Sequence, residues 1–211
     1  MFADRRVLIL PGWRNSGPRH WQSRWEALHG FTRVEQAEWD WPRRGDWMAR
    51  LDDVLLDGSK PALLVAHGLG CHLVAAWAAH SRHTGRVQAA LLVAPPDIEL
   101  GDITPQLSTW RPIQRARLPF PAALLISDDD PDRAESGTLP DSLSRTLQLA
   151  ADWGATATRV GAAGQIDGDS GLGDWPAGLR QLTRLARLVQ PTEPTEPAGA
   201  AHPADRPAAF G

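Results

Sequence analysis

Along the chain, short apolar runs alternate with longer stretches in which apolar residues recur at helical spacing. Val7-Leu8-Ile9-Leu10 reads as a strand stopped by Pro11 and Gly12. Residues 19–28 read as a helix, with Trp21, Trp25 and Leu28 at i, i+4 and i+7. Residues 33–36 form a weaker strand. Residues 46–56 read as a helix, with Asp46 as its N-cap and Gly58 just past its end. Residues 63–66 are a strand, followed by a glycine turn and an apolar helix over 69–79. Further strands are expected at 89–93, 122–126 and 156–160, and further helices at 140–153 and 176–189.

The strand runs are continuously apolar, which marks strands buried on both faces. Strands that alternate with helices in this way predict an α/β fold, with a doubly wound, mostly parallel sheet of about six strands flanked by helices. Ligands in such folds bind outside the carboxyl ends of the strands. The loops after Leu10, Ala66, Val93, Ile126 and Val160 are therefore expected to build any site. One domain is expected over residues 1–189. From Gln190 the composition changes to proline, alanine and threonine, with the short repeat Pro191-Thr192-Glu193-Pro194-Thr195-Glu196-Pro197. Residues 190–211 cannot bury apolar surface and are expected to be a disordered tail. A proline-rich docking segment is the sharper alternative.

Composition narrows the function classes. The formal net charge of -3 gives no attraction to nucleic acid or to an anionic membrane. No stretch approaches the roughly 20 apolar residues of a membrane span. The four-residue run after Asp4, Arg5 and Arg6 is shorter than the about 7–15 residues of a secretory h-region. The single cysteine, Cys71, rules out an internal disulfide. A cytoplasmic location is the expectation. Ten Trp against no Tyr is unusual usage, read first as core and loop packing and only second as a stacking platform for carbohydrate.

The chemistry centres on Leu63-Leu64-Val65-Ala66-His67-Gly68-Leu69-Gly70-Cys71-His72. A buried strand enters a tight turn and then a helix, which is the layout of the G-x-S-x-G nucleophile elbow. Ala66 and Gly70 supply the small flanking residues, and the nucleophile position falls on Gly68.

With these residues the chain resembles the small serine hydrolases that include retinoblastoma-binding protein nine and the bacterial YdeN-type proteins. The match is carried in order by Leu10-Pro11-Gly12-Trp13-Arg14-Asn15-Ser16-Gly17-Pro18-Arg19-His20-Trp21-Gln22, by the elbow, and by Leu91-Leu92-Val93-Ala94-Pro95-Pro96. It continues through Leu118-Pro119-Phe120-Pro121, Ser127-Asp128-Asp129-Asp130-Pro131, Gly164-Gln165-Ile166 and Ser170-Gly171-Leu172-Gly173-Asp174-Trp175-Pro176. The resemblance implies a compact α/β-hydrolase fold acting on small acyl esters, with a Ser-Asp-His triad. It maps the serine to Gly68, the acid to Asp130 and the histidine to Gln165. The segment around 133–140 is longer than the family pattern, so Asp129 stands as the alternative acid. The oxyanion amides would be those of Leu69 and of the loop near Trp13.

Serine catalysis needs a hydroxyl, a base and an orienting carboxylate. Gly68 has no nucleophile, and the Gln165 amide cannot accept and return a proton near neutral pH. The expectation is therefore a pseudohydrolase that keeps a pocket for a small acyl or carboxylate ligand, with room for a protein partner. The alternatives are an active hydrolase using a water attack assisted by Asp130, or an inactivated variant of an active enzyme. Cys71 is expected to be buried rather than nucleophilic. His67 is expected to point away from the pocket, His72 to be packed or solvated, and His20 to make a structural hydrogen bond, with a pocket role as its second reading. No cofactor is implied. The adjacent acids Asp128, Asp129 and Asp130 diverge in a turn, and no histidine or cysteine spacing supports a metal site.

Overall fold

The computed structural model describes residues 2–99, 103–131 and 139–189. The expected tail at 190–211, and most of the long segment expected around 133–140, lie outside the described residues. Six strands form one parallel sheet: β1 (Arg6–Leu10), β2 (Thr32–Arg33), β3 (Ala62–His67), β4 (Val87–Val93), β5 (Ala122–Ile126) and β6 (Thr156–Arg159). Their order is β2-β1-β3-β4-β5-β6. The expected α/β architecture is present.

Side chains alternate across each strand, so the inner strands supply two cores. Val7, Ile9, Leu63, Val65 and Leu91 face one side. There they pack against Trp21 and Trp25 of α1 (Trp21–His29) and Leu182 of the last helix, α5 (Pro176–Leu188). Leu8, Leu10, Leu64 and Ala66 face the other side. They meet Trp47 and Leu51 of α2 (Arg44–Leu56), Trp77 of α3 (Leu69–His80) and Trp153 of α4 (Leu139–Trp153). Trp21, Trp25, Trp47, Trp77, Trp110 and Trp153 are fully buried. The tryptophans are largely core, as the packing reading expected. Their indole N–H groups still find acceptors, such as the Ile166 carbonyl for Trp21 at 2.7 Å.

Three local expectations need correction. Continuous apolarity holds for the inner strands β1, β3, β4 and β5 but not for the edges. β6 is mostly exposed, and β2 pairs over two residues where four were expected. An edge strand has one neighbour and one solvated flank, so nothing forces it to be long or apolar. Asp46 is not the N-cap of α2. The helix begins at Arg44, with Arg43 capping it without a side-chain bond. Asp46 instead lies in the first turn, where its carboxylate meets the positive end of the helix dipole. A short 3-10 helix at Pro105–Trp110 was not anticipated; its Trp110 is buried. Among the described residues no helix is long and apolar enough to cross a membrane.

Candidate functional site

β3 ends at His67 and α3 starts at Leu69, so a single residue makes the turn between them. That residue, Gly68, has φ 55° and ψ -126°, a backbone conformation that L side chains rarely adopt. Its amide donates to the Val93 carbonyl at 3.0 Å, and its carbonyl accepts from the Cys71 amide at 3.0 Å. The turn is thus fixed by backbone bonds to β4 and to the first turn of α3.

Close approach is the second requirement. A Cβ on Gly70 would stand 2.4 Å from the Leu10 carbonyl oxygen and 2.9 Å from that of Pro11. Only glycine lets α3 start against the end of β1. Gly12 is pressed on the elbow from the other side: a Cβ there would lie 3.1 Å from the His67 carbonyl oxygen and 3.2 Å from the Leu69 nitrogen. At Gly68 itself an added Cβ would meet only the Gly12 Cα, at 3.7 Å. The elbow has room for a side chain that the sequence does not supply.

A cavity of about 850 Å³ opens over this turn at the carboxyl ends of the strands. Trp13, Gly68, Leu69, Asp130 and Gln165 all line it. Its walls come mainly from the loops that the strand order designates: residues 12–20 after β1, the elbow after β3, Ala94 to Ile98 after β4, Asp130 after β5 and Gln165 to Asp169 after β6. Leu69 is the first residue of α3, so its N–H has no acceptor within the helix. The Trp13 side chain is tied down by donation from its indole N–H to the Asp40 carbonyl at 3.0 Å. The Arg14 guanidinium lies 4.5 Å above the Trp13 ring.

The two candidate acids separate clearly in position. Asp130 is buried and lines the cavity. Asp129 is exposed, and its carboxylate accepts from the Ser127 hydroxyl and from the amides of Ala163 and Gly164, each at 2.8 Å. The Ser127 hydroxyl, followed by the Gly164 amide, holds the Asp129 carboxyl below its ordinary range. Asp129 thus anchors the loop that carries Gln165.

His67 departs from expectation: it lines the cavity. By strand alternation it shares the face of Leu63 and Val65, and the loop after β6 folds back over the end of that face. Its Nε2–H donates to the Gln165 carbonyl at 2.9 Å, and its ring meets that of His20 edge-on at 4.7 Å. Burial pushes His67 below the ordinary histidine range. His20 is buried and caps α1, its Nδ1 accepting from the Gln22 amide at 3.1 Å. Burial, with the neighbouring His67 adding to it, pushes His20 down to about 2, so it stays neutral. His20 therefore makes the structural bond expected of it. His72 is packed: its Nε2–H donates to the Pro96 carbonyl at 2.9 Å, behind the cavity wall. Cys71 is fully buried, and burial pushes its thiol up to about 12, leaving it protonated and inert as a nucleophile. Among the described residues no group of three His, Cys, Asp or Glu side chains converges to hold a metal.

Sequence reasoning missed the wall formed by Pro96, Asp97, Ile98 and Leu107. Pro96 closes the matched stretch that begins at Leu91, but no motif marks Asp97, Ile98 or Leu107; only the rule that loops after strands build the site reaches Asp97 and Ile98. Asp97 is held there by Arg145 of α4 at 2.6 Å.

A parallel sheet turning into a helix through one residue of this conformation, with a cavity above it, defines an α/β-hydrolase. The family model for serine hydrolases matches residues 7–184, and the chain belongs to that family. Among solved structures, it is similar to a YdeN-like hydrolase from Pectobacterium atrosepticum at 25% identity and a TM-score of 0.75, over 89% of this chain and 94% of that one. It is also similar to the ydeN gene product of B. subtilis, at 21% identity and a TM-score of 0.61, over 87% of this chain and 99% of that one. A metagenomic carboxyl esterase shares the fold at 16% identity and a TM-score of 0.56, over 89% and 77% of the two chains. A search among curated proteins finds no match.

Proposed function

We propose that this serine hydrolase family member is a pseudohydrolase: it keeps the elbow and pocket, lacks the serine mechanism, and acts by binding a small acyl or carboxylate ligand. The observation that carries the reading is Gly68, which holds the strained elbow conformation with space for a Cβ and has no hydroxyl. Gln165 supports it, standing at the same cavity where the family resemblance expects the base. Losing the nucleophile of such a triad costs about 10⁶ in kcat, and losing the base as well adds little. On this reading what survives is backbone: by resemblance, the amides of Leu69 and of the loop near Trp13 would form the oxyanion hole, worth roughly 10³–10⁴ over water. The kinship with retinoblastoma-binding protein nine and a cytoplasmic setting belong to the same reading; the buried, unpaired Cys71 thiol is compatible with a reducing compartment.

A serine-reactive fluorophosphonate tests the proposal. No labelling of the unmodified protein is expected, and clear labelling at any residue would overturn it. The burial of Asp130 at the cavity favours one competing reading, in which this carboxylate assists attack by water. Turnover of a small ester that vanishes in Asp130→Asn would establish that reading. Absence of turnover across an ester panel is the outcome expected here.

A further inference from the structure

Arg33 lies at the end of the edge strand β2, yet only 10% of its side chain is exposed. Its guanidinium joins two elements. Nη1 donates to the Asn15 side-chain oxygen at 2.5 Å and to the Ser16 carbonyl at 3.0 Å. Nη2 donates to the Ser23 hydroxyl at 2.7 Å and to the Glu26 carboxylate, and Nε donates to the same carboxylate at 3.0 Å. Ser23 and Glu26 belong to α1. One planar cation therefore ties the loop after β1 to the helix behind it.

That loop needs holding. Arg14 and Asn15 are consecutive non-glycine residues at φ 64° and 66°, in left-handed backbone. Such backbone persists only where its surroundings over-determine it. The Asn15 amide closes the turn by donating to the Gly12 carbonyl at 3.1 Å, and the Arg14 amide donates to the Trp39 carbonyl at 3.2 Å. Gly12 and Trp13 are the residues that this turn sets against the elbow. The orientation of the Trp13 amide is therefore coupled to the side chain of Asn15, and through it to Arg33.

We propose that Arg33 is the positioning residue of the carbonyl-binding corner. Through Asn15 Oδ1 and the Ser16 carbonyl it fixes the strained turn, so that the Trp13 amide stays beside that of Leu69. The inference rests on reading that corner as the surviving oxyanion site. A lysine would keep the charge but cannot fork between Asn15, Ser16, Ser23 and Glu26.

The experiment uses Arg33→Lys and Asn15→Ala, each with two readouts. In the unmodified background, amide spectra report the Trp13 and Asn15 resonances, and titration with butyrate reports the corner. Arg33→Lys is expected to shift both resonances and to weaken butyrate binding about tenfold or more, while signals from α5 stay in place. In the Gly68→Ser/Gln165→His background, it is expected to lower kcat on p-nitrophenyl butyrate by about tenfold or more, with KM held within about threefold. Asn15→Ala should reproduce these changes, and the double variant should add little to either single one. An unmoved Trp13 amide with unchanged butyrate affinity in a folded Arg33→Lys would overturn the proposal, as would additive single effects. If Arg33→Lys does not fold, Asn15→Ala decides by the same readouts. If the unmodified protein does not bind butyrate, the reading of the corner fails, and the Trp13 resonance alone decides the role of Arg33.

Discussion

The elbow and the loop after β6 face each other across the same cavity, but they are held by different means. Gly68 is fixed by backbone bonds to Val93 and Cys71 and by the close approach of Gly12 and Gly70. The loop after β6 has backbone bonds to its neighbour at its start, such as that from the Asp128 amide to the Gly161 carbonyl, and is otherwise tied to the rest of the protein by side chains. The Asp129 carboxylate holds the amides of Ala163 and Gly164, the His67 imidazole holds the Gln165 carbonyl, and the Trp21 indole holds that of Ile166. A backbone device does not depend on the side chain at its centre. The elbow can therefore keep its shape with glycine at position 68. The loop's placement depends largely on side chains from distant parts of the chain.

The largest expected effect on stability comes from breaking the elbow. Gly70→Val puts a branched side chain against the Leu10 and Pro11 carbonyls and should cost about 3 kcal/mol, read as a lowered denaturant midpoint. A cost below about 0.5 kcal/mol would show that α3 can back away from β1.

Acid should strain the other side. His20, beneath the loop after β6, is neutral when folded and protonates near its ordinary pKa of about 6.5 when unfolded. The unfolded state therefore binds more protons below that pH, and stability falls as pH drops. Between pH 6.5 and pH 5 the loss from His20 is about 2 kcal/mol, and His67 and His72 act in the same direction. Thermal unfolding at both pH values checks this, and His20→Asn, which keeps a capping acceptor, should flatten the profile.

Gly68→Ser should cost of order 1 kcal/mol. The new Cβ meets only Gly12, but the backbone conformation becomes strained. The smallest effect is expected from Asp129→Ala. It should speed amide exchange at Ala163 and Gly164 while exchange in β3 and α3 stays unchanged. Slow exchange retained at both amides would mean that the loop does not depend on this carboxylate.

This contrast also explains what could be read from the sequence. The elbow is contiguous, and its buried strand, turn and small flanking residues leave a pattern within a dozen positions. The inner strands were legible for a similar reason, since burial on both faces makes them uniformly apolar. β2 and β6 were not, because an edge obeys looser rules. The position of His67 was misread because the fold-back of the loop after β6 depends on contacts about a hundred residues away, such as His67 to Gln165. The anchoring of that loop by Asp129 was invisible for the same reason, as was the wall around Ile98 and Leu107.

The central claim is that the scaffold at the elbow and at Gln165 is intact and that the chemistry is missing only for want of side chains. Gly68→Ser combined with Gln165→His tests it most directly, by turnover of p-nitrophenyl butyrate. The account predicts hydrolysis at least about 10³-fold above the unmodified protein, with fluorophosphonate labelling confined to residue 68. A folded double variant with no turnover and no labelling would contradict it.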